Sequence, residues 1–135
     1  MPVLGLNHVN VRTPDFRRTV EFLRDALGMI VTAVPGHESN DKAAWAYDHT
    51  GVPVLHLASA DVAYSPGEVL PIEPPRGSGA VHHLALTCTD FEGMRARLAA
   101  LSLSFRETQI ATSGIRQLFV KDPTGILLEL NFREG

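Results

Sequence analysis

The sequence predicts an α+β fold built from two βαβββ modules, and three observations carry that expectation. Residues 8 to 23, HVNVRTPDFRRTVEFL, lie over residues 83 to 98, HLALTCTDFEGMRARL, at an offset of 75. The phrase DHTGVPVLHL, residues 48 to 57, returns as DPTGILLEL, residues 122 to 130, at nearly the same offset. Each copy also runs through strand-type alternation, helical spacing and strand-type alternation in the same order. The predicted modules span residues 4 to 59 and 79 to 133 of one domain. The linker, residues 60 to 78, is rich in Pro and Gly and reads as turns.

Each module opens on an alternating strand, about 6 to 12 or 81 to 88. A helix follows, with Thr13 or Thr89 as the expected N-cap and acidic residues in its first turn. Phe16, Val20, Leu23 and Leu27 keep helical spacing in the first module, and Gly28 suits the stop. Phe91, Met94, Leu98 and Leu101 do so in the second. Three more strands are predicted near 29 to 34, 43 to 48 and 52 to 58, and again near 104 to 108, 115 to 121 and 126 to 132. Asp-x-Thr-Gly separates the last two strands of each set, where Asp and Gly suit a tight turn.

Composition narrows the function classes. The chain is 44% apolar and 20% charged, with a net charge of −3. It has no basic cluster longer than Arg17-Arg18, so a nucleic-acid partner is not expected. No apolar run approaches the roughly 20 residues of a membrane span, and the N-terminus lacks a basic segment followed by an apolar one. The single cysteine, Cys88, excludes an internal disulfide and reads as an inert buried thiol. A cytoplasmic location is expected.

Strand alternation sorts the polar residues onto one face. His8 and Asn10 oppose Val9 and Val11; His56 opposes Leu55 and Leu57; His83 opposes Leu84 and Leu86; Glu129 opposes Leu128 and Leu130. The large apolar residues pack under the helices, and the other face suits a ligand-holding concavity. By the repeat, His8 corresponds to His83 and His56 to Glu129. His82 competes with His83, but it shares the face of Leu84 and Leu86. Where the sheets curl toward one another, His8, His56, His83 and Glu129 converge. Three imidazoles and a carboxylate suit a divalent transition metal, such as Ni, Co, Zn, Mn or Fe(II). A buried, ionised Glu129 would in any case need a cation or a partner. His37 and His49 fall in loop-like stretches. Trp45 reads equally as core or pocket wall, and Arg116 as an anion-binding or surface arginine. The polar loop 35 to 44 is expected at the pocket mouth.

The segments HVNVRTPDFRRTVEFLRDALGM, HHLALTCTDFEGMRARLAAL and LFVKDPTGILLELNF together resemble the vicinal oxygen chelate superfamily. That group includes glyoxalase I, fosfomycin resistance proteins, bleomycin-binding proteins and extradiol dioxygenases. The resemblance implies a half-open barrel around a metal, the glyoxalase-like fold, in a homodimer that binds a small molecule. It carries the ligand role onto His8, His83 and Glu129; the fourth position, Glu or Gln in several members, is His56 here.

The implied chemistry is a metal-dependent lyase or isomerase in which Glu129 takes a proton next to a carbonyl and returns it. Asn10, Trp45, Arg116 and Phe119 are the candidate substrate-binding residues. An extradiol-type dioxygenase ranks second. Its signature expects a tyrosine where Phe119 stands, and residues 108 to 114, TQIATSG, contain no histidine. A non-enzymatic drug-binding protein is the third alternative, and it would lack the metal ligands.

Overall fold

The computed structural model describes residues 3–34, 42–62 and 76–133. The first module runs β1 (Val9–Thr13), α1 (Phe16–Glu21), a π-helical turn (Phe22–Ala26), β2 (Ile30–Ala33), β3 (Ala43–Tyr47) and β4 (Pro53–Ser59). The second runs β5 (Leu84–Cys88), α2 (Phe91–Ala100), β6 (Phe105–Gln109), β7 (Arg116–Lys121) and β8 (Leu127–Phe132). The first sheet has the order β1-β4-β3-β2 and the second β5-β8-β7-β6. In both, the first strand pairs in parallel with the last, and the other neighbours are antiparallel. No helix among the described residues is long and apolar enough to cross a membrane.

Helices cover one face of each sheet, and that face is where the apolar positions point. Val11, Leu55 and Leu57 bury with Phe22, Leu23 and Ala26. Leu118, Val120, Leu128, Leu130 and Phe132 bury with Phe91, Met94 and Leu98 in the same continuous core. The modules meet where α2 packs on the π-helical turn. There the Arg97 guanidinium donates to the Ala26 carbonyl at 3.3 Å.

The two strand-ending phrases fold into the same turn. One oxygen of Asp48 accepts from the Thr50 backbone N–H at 2.9 Å, the Thr50 hydroxyl at 2.7 Å and the Val52 N–H at 3.0 Å. Asp122 makes the same bonds to Thr124 and Ile126, at 2.9, 2.6 and 2.9 Å. Gly51 and Gly125 sit at φ +86° and +90°, where a Cβ would add strain.

Three expectations need correction. The first strand begins at Val9, not near residue 6. The N-caps are Asp15, accepting from the Arg18 N–H, and Asp90, accepting from the Gly93 N–H. Thr13 is displaced because its hydroxyl is buried against the Thr19 hydroxyl at 2.8 Å and accepts from the Asp15 N–H. Thr89 lies one residue before the capping Asp90. Asp15 therefore caps the first helix, whose first turn holds no acidic residue. His37, most of the 35 to 44 loop and residues 63–75 of the linker lie outside the described residues.

The paired turns differ in burial: Asp122 is 8% exposed, whereas Asp48 is half-buried. Removing the Asp122 carboxylate strands three donors, so Asp122→Ala should cost about 2–3 kcal/mol in denaturant unfolding, more than Asp48→Ala. Hydrogen bonds from Thr50 and then Val52 hold the Asp48 carboxyl below its ordinary value. A depressed carboxyl stabilises above its unfolded pKa of about 3.9 and loses that contribution as pH falls through the folded value. The melting-temperature gap between wild type and Asp48→Ala should therefore narrow from pH about 7 toward pH about 3.

Candidate functional site

Strand register decides which polar side chains can meet on the outward faces. In the first sheet Asn10 lies opposite His56, and His56 opposite Trp45. In the second, Ala85 lies opposite Glu129, Glu129 opposite Phe119, and Phe119 opposite Arg106. Trp45 and Phe119 thus hold equivalent places beside His56 and Glu129. The next row of the second sheet carries Thr87, Asn131, Gln117 and Thr108.

Two pairs of ligand-type residues result. In the first module the His8 and His56 rings stack, with centroids 4.0 Å apart. Trp45 sets its ring edge-on to His56 at 3.6 Å. In the second module Nε2 of His83 stands 3.9 Å from Oε2 of Glu129. That separation is too long for a hydrogen bond. It is within the roughly 4.2 Å that two ligands, each about 2.1 Å from one ion, can span.

Neighbouring hydrogen bonds select the tautomers a metal would need. Asn7 Oδ1 lies 2.7 Å from His8 Nδ1, and an amide oxygen can only accept. The proton therefore sits on Nδ1, and Nε2 of His8 keeps its lone pair. His83 Nδ1 lies 2.9 Å from His82 Nδ1; donation from His83 likewise frees its Nε2 toward Glu129. Burial first, and then the nearby His8, lowers the His56 pKa and favours the neutral ring. Asn131 donates from its amide nitrogen to Glu129 Oε2 at 3.0 Å, and no bond to Oε1 forms among the described residues. Three imidazole nitrogens and a carboxylate fit a divalent transition metal by the chemistry of the donor set.

Within one chain the four do not gather. Among the described residues, no three His, Cys, Asp or Glu side chains stand close enough to hold an ion. His8 and His83 are exposed, His56 is buried and Glu129 is half-buried.

Arg116 is also corrected. It stands on the helix-covered face, over the Phe91 ring at 3.5 Å, with Glu92 at 3.3 Å and Glu107 at 3.7 Å. These partners leave it no role at the outward face. A recess of about 440 Å³ lined by Glu107, Thr108, Gln109 and Arg116 contains none of the candidate ligands. Asn10 is exposed beside His56, and Trp45 and Phe119 are half-buried walls. The indole N–H of Trp45 is buried with no acceptor among the described residues. His49 is exposed in the Asp48 turn. Burial pushes the Cys88 thiol up to about 11, which keeps it protonated and unreactive near neutral pH.

The sequence reading did not single out Asn7, Arg106, Thr108, Gln117 or Asn131. Asn131 lies two residues after Glu129, so alternation puts both on one face. Arg106, stacked over Phe119 at 5.0 Å, becomes a neighbour only through the register of β6 on β7.

The Glyoxalase/Bleomycin resistance protein/Dioxygenase superfamily pattern matches residues 5–130. No curated protein matches the chain. Among solved structures it is similar to a glyoxalase/dioxygenase from Nostoc punctiforme, with 17% identity, TM-score 0.73, and 98% and 92% of the two chains covered. A lactoylglutathione lyase from Agrobacterium tumefaciens matches at 18% identity and TM-score 0.62, covering 98% and 96%. A glutamate-to-glutamine variant of the fosfomycin resistance protein FosX from Listeria monocytogenes, solved with Mn(II) and a dihydroxypropylphosphonic acid, matches at 16% and 0.65, covering 96% and 90%.

The lowered pKa of His56 has a measurable consequence. Below the unfolded-state value of about 6.5, the unfolded chain takes up the proton before the folded one. Stability therefore falls as pH drops through that window. Thermal melts between pH about 7.5 and pH about 5 should show a shallower loss for His56→Gln than for wild type.

Proposed function

The chain belongs to the Glyoxalase/Bleomycin resistance protein/Dioxygenase superfamily, and from that premise we propose that it is a divalent-metal-dependent lyase or isomerase whose site two copies complete. His8 and His56 of one copy join His83 and Glu129 of the other. The observation that carries this reading is the pairing of ligand-type residues. The second module sets His83 Nε2 3.9 Å from Glu129 Oε2, a separation one ion can span, and the first stacks His8 on His56 with ring centroids 4.0 Å apart. Each pair opens outward from its own helical layer. A twofold relation between copies brings unlike pairs together twice, giving two equal sites per dimer. Among the described residues, the edge strands β1 and β5, which follow His8 and His83, each have one side without a strand partner.

When bound, the metal supplies Lewis acidity toward the oxygens of a chelated substrate. Glu129 is the general base. Asn131 already occupies Oε2, so Oε1 receives the proton from carbon next to a carbonyl and returns it. Neutral His56 contributes no charge to the shell, and Trp45 beside it excludes water. Phe119, opposite Glu129, offers no hydroxyl, so proton transfer at this end of the site falls to the carboxylate. Arg106, over Phe119, suits an anionic group on the substrate. The similarity to FosX, solved with Mn(II), is consistent with a metal of this class.

Mixing two disabled variants tests the arrangement. His8→Ala/His56→Ala lacks one pair and His83→Ala/Glu129→Ala the other, so each alone should lose tight metal binding. Refolded together, they should recover about one ion per mixed dimer, because one of its two interfaces then unites intact pairs. Recovery no better than either parent overturns the shared site. Turnover is then screened with hemithioacetals, acyl-CoA epimers, fosfomycin with thiols, and catechols under oxygen. Wild-type turnover by Glu129→Gln would remove the base assignment.

A further inference from the structure

We infer that Asn131, Gln117 and Thr108 form a one-way chain of hydrogen bonds that positions the Glu129 carboxylate, an inference that rests on the proposed role of Glu129. Thr108 Oγ1 donates to Gln117 Oε1 at 2.9 Å. Gln117 Nε2 donates to Asn131 Oδ1 at 2.9 Å. Asn131 Nδ2 donates to Glu129 Oε2 at 3.0 Å. Three adjacent strands, β6, β7 and β8, supply the members, and the strand register sets their spacing.

The direction of the chain follows from its end. An ionised carboxylate only accepts, so Asn131 must present its NH₂ group. Its carbonyl oxygen then faces Gln117, which must present NH₂ in turn. The Gln117 oxygen is left for a hydroxyl, and Thr108 provides one. The chain therefore holds Oε2 and leaves Oε1 for the proton.

The repeat supplies an internal control. In the second module Gln117 pairs with Asn131, two residues past Glu129. In the first module the same places hold Ala43 and Ala58, two residues past His56. A histidine on a crowded sheet face is oriented by ring packing, here by His8 and Trp45. A carboxylate rotates about its terminal torsion unless hydrogen bonds stop it. The places that hold Gln117 and Asn131 near the carboxylate hold two alanines near the imidazole. Asn131, Gln117 and Thr108 are positioning residues, acting through Glu129.

Two readouts on the protein test this. The first is Mn(II) affinity, followed by loss of the free-ion resonance signal. Asn131→Ala should weaken binding by about 10- to 100-fold, the usual range for a group that orients a ligand. Gln117→Glu is the sharper variant. It is isosteric and still accepts from Thr108, yet it cannot donate to Asn131. Asn131 then turns its NH₂ toward position 117 and its oxygen toward Glu129. Gln117→Glu should therefore lose more affinity than Gln117→Leu, the reverse of what a packing role predicts.

The second readout is the side-chain NH₂ resonance of Asn131 in metal-free protein. It should sit away from free-amide positions in wild type, move toward them in Glu129→Ala, and shift to a different hydrogen-bonded position in Gln117→Glu. Wild-type affinity in folded Asn131→Ala and Gln117→Glu variants and an unchanged Asn131 amide resonance in Gln117→Glu, alongside loss of Mn(II) in Glu129→Ala, overturn the positioning chain and leave the proposed site standing. A wild type that ignores Mn(II) but shows the shifted, Glu129-dependent amide overturns the site and supports the chain.

Discussion

Parallel pairing between the first and last strands of each module is the constraint on which the rest depends. It sets Asn10 against His56 and Ala85 against Glu129. Residues more than forty positions apart become neighbours on one face. An antiparallel arrangement would carry the first-strand histidine away from the last-strand ligand. Parallel pairing needs a crossover, and the helix that makes it covers the apolar face of the same sheet. One connection therefore builds the core and leaves the ligand-type residues on the other face.

Duplication extends that logic without copying it exactly. Both modules use the Asp-x-Thr-Gly turn, both set an aromatic residue beside the last-strand ligand, and both lead with a histidine. They diverge where the chemistry differs. His56 lies against His8 and Trp45, in surroundings that favour a neutral ring. Glu129 accepts a hydrogen bond from Asn131 at one carboxylate oxygen. Such a division suits a site that needs a neutral ligand from one half and a proton acceptor from the other.

The packing of α2 on the π-helical turn gives the two halves their relation. It joins the apolar faces of the two modules into one core. Among the described residues the ligand-type side chains stand as two pairs, one in each module. This is why the proposed function invokes a second copy rather than a closing movement within one chain.

Much of this was determined by the sequence alone. Periodicity of two assigned His56 and Glu129 to one face of their strands, because that alternation is a local property of extended backbone; His8 and His83 stand one residue before β1 and β5. The repeated Asp-x-Thr-Gly named its own turns, because the bonds span only four residues. Local rules misplaced the helix caps, since Thr13 is recruited by Thr19 into the core. Tertiary structure alone decided the remainder. Arg116 faces the helix layer because Phe91, Glu92 and Glu107 await it there. Thr108, Gln117 and Asn131 line up because register aligns three strands. The four ligand-type residues divide into two pairs because strand pairing, a long-range property, joins the first and last strands within each sheet and not between the two.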